Sequence, residues 1–380
     1  MNLFSKIKNK TRLITINFIE NILVSVRTGR KTENILLLKL DAIGDYILFR
    51  NFIEELHKAN KNCKITLCGN ILWKDLAENL DGIFIHKFIW VKVSDLNKFR
   101  YRYSIYKKLR NTNSKTLIHP TYSRTDNSDK LALASGAKTI IGYDGDTVNM
   151  GQTTKLANNQ KYNRLIPSSQ EEMFEFYRYR HFFEELLQKK FTFNRPYITS
   201  KKTGSENTQR SIFIFPGAGH ENKRWPISSF KELCNSLYLE YKLPFIICGS
   251  KGDAPLAEEL TKDATFPNKN IVGEKNLYEL IEPLSQAALV IANDSGPFHL
   301  AAAVSANTVC IFKGNHFGRF CPYPREIGKG LIFIYPDEAK NNLADPTKRK
   351  LMYFEGLETD LSTISVKTVF DQIKNSSLLN

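Results

Sequence analysis

The sequence predicts an α/β protein made of two Rossmann-like halves. Three observations carry this reading. Apolar runs of strand length alternate with amphipathic helical stretches in both halves of the 380-residue chain. Residues 199–209, Thr-Ser-Lys-Lys-Thr-Gly-Ser-Glu-Asn-Thr-Gln, hold no large apolar side chain and read as a linker between the halves. In each half, short polar turns follow directly on strand-like runs, the edge at which such sheets hold ligands.

Composition narrows the class. At 380 residues the chain can bury two cores. Hydrophobic residues at 42% and charged residues at 24% are those of an ordinary globular protein. Fifty-four Lys and Arg against 39 Asp and Glu give a net charge of +15, which implies an anionic partner: nucleic acid, an acidic membrane surface or a phosphorylated substrate. The six cysteines, at 63, 68, 234, 248, 310 and 321, include no C-x-x-C pair and fall largely in strand-like runs. They read as small core residues of a reducing compartment, not as a disulfide framework. No run approaches 18 apolar residues, so no transmembrane helix is expected. The apolar stretch Leu13 to Val26 is broken by Asn17, Glu20 and Asn21 and lacks a small-x-small cleavage site, so the expectation is an unprocessed, cytoplasmic protein.

Taken in order, residues 1–32 carry seven Lys or Arg and one acid, Glu20, with Phe4, Ile7, Ile14, Phe18, Ile22 and Val26 at near-helical spacing. This basic amphipathic arm could lie on anionic headgroups or pack on its own domain. The first Rossmann-like domain is placed at 33–198. Its strands are read at 34–40, 64–68, 83–89, 116–119 and 137–143, with helices from Tyr46 to Ala59 and from Trp73 to Leu80. Lys98 to Arg110 holds six basic residues, no acid, and Tyr101, Tyr103 and Tyr106. It reads as an exposed helix face, a second membrane-facing patch or, last, a nucleic-acid surface, since no nucleic-acid-binding motif accompanies it. Ser123, Arg124, Asp129, Asp146 and Asn149 form a polar set, residues 147–170 read as a long loop, and Glu171 to Lys189 reads as a helix.

The second domain is placed at 210–350, with a strand from Ser211 to Phe215, the turn Pro216-Gly217-Ala218-Gly219, and then Lys223-Arg224-Trp225-Pro226. Ile227 to Glu240 is helical, Phe245 to Cys248 a strand, Gly249 to Asp253 a turn, and Ala254 to Leu260 and Leu277 to Gln286 helices. Leu289 to Ile291 is a buried strand broken by Asn293-Asp294-Ser295-Gly296, with Pro297 opening a helix of small apolar residues. A strand feeding straight into a helix leaves N–H groups that favour an anion, typically phosphate; an ordinary βα turn has the same pattern. Thr308 to Phe312 is a strand, 314–322 a loop holding Arg319, and Val366 to Ile373 a helix within a terminal segment, 351–380.

Several turns match one family together. Ile43-Gly44-Asp45, Pro216 to Gly219 with Lys223-Arg224-Trp225-Pro226, Gly249 to Asp253, and Asn293-Asp294-Ser295-Gly296-Pro297-x-His299-Leu-Ala-Ala resemble the bacterial heptosyltransferase family, glycosyltransferase family 9, across about residues 34–322. The resemblance implies a GT-B fold, two Rossmann-like domains facing across a cleft, with the carboxyl-terminal helix of 351–380 returning to the first domain. It implies metal-independent, inverting transfer from a nucleotide sugar, usually ADP-heptose, to a lipopolysaccharide core on the inner face of the membrane. No cofactor beyond that co-substrate is expected.

The resemblance also assigns roles. Asp45 matches the catalytic aspartate that takes the acceptor's proton, though the residue type also fits a helix N-cap. Asp41, where the family more often has a small hydroxyl residue, could replace or assist it. Lys223, or Arg224 in its place, would face the donor diphosphate. Gly217, Ala218, Gly219, Asp294, Ser295, Gly296 and His299 complete the donor side, and Asp253 stands where the family often has a ribose-binding Glu. Asp41, Arg124, Asp146 and Arg319 are acceptor-side candidates. Asp144-Gly145-Asp146 resembles a metal-binding D-x-D, but an acid-Gly-acid turn is common and metal binding is not expected. The reading is therefore a sugar transferase peripheral on the cytoplasmic membrane face, using a nucleotide sugar and an anionic glycolipid and no nucleic acid. The alternatives are a nucleotide-sugar epimerase or hydrolase on the same fold, and a non-catalytic nucleotide or glycolipid binder.

Overall fold

The computed structural model describes residues 22, 32–169, 171–199, 210–356 and 359–379. The basic arm, apart from Ile22 and Thr32, and the linker, apart from Thr199, lie outside the described residues.

Two six-stranded sheets, each parallel throughout, carry the α/β alternation that the sequence predicts. In the first sheet the strands are β1 (Thr32–Lys39), β2 (Ile65–Asn70), β3 (Lys87–Val91), β4 (Ser114–His119), β5 (Thr139–Tyr143) and β6 (Arg164–Ile166). Their order is β3-β2-β1-β4-β5-β6. In the second they are β7 (Ile212–Phe215), β8 (Phe245–Ile247), β9 (Asn268–Asn270), β10 (Leu289–Asn293), β11 (Thr308–Ile311) and β12 (Leu331–Ile334). Their order, β12-β11-β10-β7-β8-β9, is the same topology counted from β7. This is the doubly wound Rossmann arrangement in both halves, as a GT-B fold requires. The central strands are apolar without alternation because helices cover both faces: Leu36, Leu37 and Leu38 of β1 and Leu289, Val290 and Ile291 of β10 are fully buried.

The chain forms two compact units. The first takes in the chain up to Ala42, Phe52–Gln170 and Arg178–Lys190; the second takes in Ile43–Asn51, Glu171–Tyr177 and Phe191–Asn380. In the first, Leu36, Leu38, Cys68, Ile105, Leu109, Leu117 and Leu131 share one core. In the second, Ile212, Ile214, Phe230, Leu233, Leu289, Ile291 and Val309 share another.

Several segments differ from the sequence reading. Residues 147–170 are not a loop: they hold the helix Gln152–Asn159 and β6, which completes the first sheet by pairing with β5. The polar stretch after Arg124 is the helix Asp126–Ala134, started by a capping box between Thr125 and Ser128. β3 begins at Lys87 and ends two residues beyond the expected strand. β12 and the helices Asp337–Leu343 and Pro346–Phe354 extend the second half. The terminal helix, Val366–Ser376, belongs to the second unit. Its Val369 and Ile373 are wholly buried in the second unit's core, beside the helix Ile227–Tyr241, because its apolar residues recur at helical spacing on that one face. No helix among the described residues is long and apolar enough to cross a membrane.

Candidate functional site

In the second sheet the chain reverses its winding between β7 and β10, and this switch point is where parallel sheets leave room for a ligand. The turns after β7, β8 and β10 emerge there, side by side. One buried side chain ties two of them to the end of β10. Asn293, fully buried, accepts a hydrogen bond from Trp225 N at 3.0 Å through Oδ1 and donates from Nδ2 to Pro216 O at 2.8 Å. An ionised carboxylate can only accept, so Asp would not replace it. Trp225 is buried with its indole N–H on Ile364 O at 3.0 Å, which fixes the segment that presents Lys223.

Lys223 ends a short helical turn, Glu221–Lys223, and reaches Asp294 Oδ2 at 3.2 Å. It is about one-third exposed, and the charge of Asp294 raises its pKa, so it is a firm cation at the mouth of the turn. Arg224 points elsewhere: its guanidinium donates to Ala218 O at 3.2 and 3.4 Å and shapes the 216–219 turn from behind. Of the two candidates for the diphosphate, Lys223 is the one the geometry presents. Gly219 has open space where a side chain would stand, whereas Gly217 lies against the carboxylate of Asp253. Asp253 spends Oδ2 on Ser250, accepting from its N and Oγ at 2.8 Å each, as part of a capping box. One oxygen is therefore already committed to the turn.

The helix Gly296–Ala303 starts without a side-chain cap. Ser295 turns its hydroxyl back to Asn293 O at 3.1 Å, so the positive end of the helix is not neutralised by its own N-cap residue. His299, one turn in, is buried and shares a 2.9 Å hydrogen bond between Nδ1 and the Tyr323 hydroxyl. Burial, opposed by Asp294 and aided by Lys223, pushes its pKa down to about 4, so the ring is neutral at neutral pH.

Asp45 lies on the helix Ile43–Phe49, half-buried, in the first turn. The sequence reading set it in the first domain, opposite the donor turns. The structure instead seats its helix in the second unit, directly against the helix Gly296–Ala303. The approach is close enough to need glycine on both sides. A Cβ on Gly44 would fall 2.5 Å from His299 Cδ2, and one on Gly296 would fall 2.6 Å from Ile43 Cγ2. The residue after Gly44 is Asp45, so its backbone position is set by the donor-side helix.

The acceptor-side candidates turn out differently. Asp41 pairs with the fully buried Lys39 and accepts from Thr121 Oγ1 at 2.7 Å. Burial pushes its carboxyl up, but Lys39, by charge and hydrogen bond, and Thr121 together hold it below the usual carboxylate range. Arg124 is buried. Its Nη1 lies 3.2 Å from both oxygens of the fully buried Asp129, Nη2 donates to Asn159, and its guanidinium stacks over Tyr162. Asp146 accepts from Ser123 Oγ at 2.7 Å and from Val148 N at 3.2 Å. Asn149 donates to Ser123 O at 2.9 Å. Arg319 makes a buried ion pair with Glu175 at 2.8 Å, within the second unit. Arg124 and Asp146 thus brace the first unit, and Arg319 braces the second. Their partners lie up to 144 residues away in sequence, which is why they looked free.

Two groups bear on metals. Asp144 and Asp146 do not converge: Asp144 binds Lys155 at 3.2 Å and Asn159 at 2.9 Å, while Asp146 braces its own loop. Asp294, His299 and Cys321 do bring an oxygen, a nitrogen and a sulfur within 4.8 Å of one another. There the Lys223 ammonium already occupies Asp294, and burial pushes the Cys321 thiol well above its ordinary range. A cation would meet a resident charge and a reluctant thiolate, so the three read as a hydrogen-bonded cluster.

The chain matches the family described as Glycosyltransferase family 9 (heptosyltransferase) over residues 104–345. It is 25% identical over 174 residues to the lipopolysaccharide core heptosyltransferase OpsX of Haemophilus influenzae, a match covering 45% of this chain and 49% of that one. The chain spans about half the length of the first curated relatives it matches. Among solved structures, a glycosyl transferase family 9 protein from Veillonella parvula superposes with a TM-score of 0.69 at 19% identity, covering 93% of this chain and 99% of that one. E. coli heptosyltransferase WaaC with ADP-2-deoxy-2-fluoro heptose superposes with a TM-score of 0.67 at 14% identity, covering 90% and 100%. At those identities the superpositions speak for the fold.

Proposed function

The chain belongs to glycosyltransferase family 9, the heptosyltransferase family, and from that premise we propose that it moves a heptose from ADP-heptose to a lipopolysaccharide core or related surface glycan. The observation that carries the reading is the close packing of the helix that bears Asp45 against the uncapped helix Gly296–Ala303, whose preceding turn holds Lys223 through Asp294.

In this mechanism the acceptor hydroxyl attacks the anomeric carbon as the bond to the diphosphate breaks, inverting that centre. Asp45 takes the hydroxyl proton. ADP leaves with the bonding electron pair, and the charge growing on its diphosphate meets Lys223 and the N–H groups at the start of the helix Gly296–Ala303. These groups supply the positive charge that a metal supplies in other transferases, so transfer proceeds in a chelator. His299, neutral at neutral pH, can hydrogen-bond but brings no charge. Asp41 is the weaker base, because its carboxylate is already paired with Lys39 and held at low pKa. Gly217, Ala218 and Gly219 let the backbone approach the nucleotide, and Asp253 reaches it through the oxygen that Ser250 leaves unused. An anionic, lipid-linked acceptor places the protein at the cytoplasmic face of the membrane, in keeping with its charge of +15.

Mass spectrometry of an acceptor core incubated with ADP-heptose tests this. The expected result is one added heptose and one ADP per turnover, in the presence of a chelator. ADP-heptose consumed without an acceptor would favour the hydrolase or epimerase reading. Preference for a UDP- or GDP-sugar would overturn the donor.

A further inference from the structure

β2 and β3 are adjacent and parallel, with Asn70 paired to Val91. The segments that follow them therefore leave the first sheet side by side at its carboxyl edge. Both carry apolar side chains into solvent: Ile71 is 46% exposed, Leu72 61% and Val93 38%. Beneath them the rings of Trp73 and Trp90 meet edge to face at 5.3 Å, and Trp90 stacks on Phe88 at 5.1 Å, so the tips rest on a rigid aromatic base. Cations gather at the second tip. Lys92 precedes Val93, and both Lys92 and Lys98 are well exposed around the single carboxylate of Asp95, while at the first tip Lys74, two residues after Leu72, lies 3.9 Å from Glu78 beside the exposed Asp75. Arg100 stands exposed at the start of the helix Phe99–Arg110, and Tyr101 fixes the edge by accepting a 2.8 Å hydrogen bond from Lys92 N.

We propose that the Ile71-Leu72 and Val93 tips, with Lys92, Lys98 and Arg100 beside them, form a docking surface for an anionic lipid bilayer. Three separate tips on two turns are far from the roughly 1,000 Å² that a stable protein interface needs. Insertion of single side chains into a bilayer has no such requirement, and half-buried Trp and Tyr with flanking Lys and Arg suit the headgroup level. The proposal rests on the lipid-linked acceptor named above: a bilayer held at this edge would bring that acceptor to the carboxyl ends of the first sheet.

The test is co-sedimentation of the full chain, arm included, with phosphatidylcholine vesicles that contain or lack phosphatidylglycerol. Ile71→Asp/Leu72→Asp should weaken partition onto the anionic vesicles about tenfold, since two inserted side chains are lost and two charges are repelled. Lys92→Glu/Lys98→Glu should weaken it on anionic vesicles and not on neutral ones. Unchanged ADP affinity and circular dichroism would show that the variants fold. Equal partition of wild type and both variants would overturn the proposal, leaving any binding to the arm. So would retention on polynucleotide, lost in the lysine variant, without vesicle binding. Transfer to a lipid-free core oligosaccharide should be the same in all three proteins. Its absence from the wild type would count against the transferase reading while leaving the vesicle result to stand.

Discussion

The strand-end turns of the second unit and the polar residues of the first unit contain similar side chains used in opposite ways. Around β7, β8 and β10, the buried polar groups are neutral, the amide of Asn293 and the ring of His299, and the charged groups Lys223 and Asp294 stay partly exposed. Around β4 and β5 the charges themselves are buried: Arg124 on Asp129, with His119 and Tyr162 packed alongside. Arg124 spends Nη1 on Asp129 and Nη2 on Asn159, with only its buried Nε and the Nε2 of His119 left without a hydrogen-bond partner, so most of this cluster's polar capacity goes to holding the fold. A charge at a turn's mouth keeps donors or acceptors to spare.

Each half of this comparison can be broken by substitution. The largest effect is expected at Asp45. Asp45→Asn should lower turnover roughly a thousandfold, the middle of the range for a lost general base, with ADP affinity intact. If turnover persists and Asp41→Asn abolishes it instead, the base has been misassigned. Next, Arg124→Met should cost about 3 kcal/mol in urea unfolding, because Asp129 is left buried with its charge uncompensated, while the turnover of the folded fraction stays near wild type. Lys223→Ala should then lower kcat roughly a hundredfold with little loss of stability, separating the two kinds of charge within one assay pair.

The smallest effect is in pH dependence. Burial pushes His299 down to about 4 and His119 down to about 3, both from an ordinary 6.5. The unfolded chain therefore binds protons that the folded chain refuses, and stability should fall as pH drops from about 6.5 towards 4. His299→Gln should flatten its share of that slope in thermal melts; an unchanged slope would mean that the ring is charged in the fold.

The same contrast explains what could be read from the amino acids. The alternation of strands and helices, and the turns 216–219 and 293–297, are local patterns and were legible as such. The roles of Arg124 and Arg319 were not, because Glu175 and Arg319 are 144 residues apart and only the fold shows them meeting. Asn293 was visible in its motif, yet its task depends on Pro216 and Trp225, 77 and 68 residues away. The helix Asp126–Ala134 was hidden by its polar first turn, whereas the apolar run of β12, Leu331–Ile334, is as long as β7 and could have been read as a strand. Asp45 was picked out by its neighbours Ile43 and Gly44. Its seat against the donor-side helix was foreshadowed only by glycine at both contact points, Gly44 and Gly296.

The central claim is that the second unit's turns hold the leaving diphosphate while the first unit's polar residues do not. Calorimetric titration of ADP into Lys223→Ala and into Asp146→Asn tests it most directly. Affinity should be at least roughly tenfold weaker for Lys223→Ala and unchanged for Asp146→Asn. Equal affinities, or a loss confined to Asp146→Asn, would contradict it.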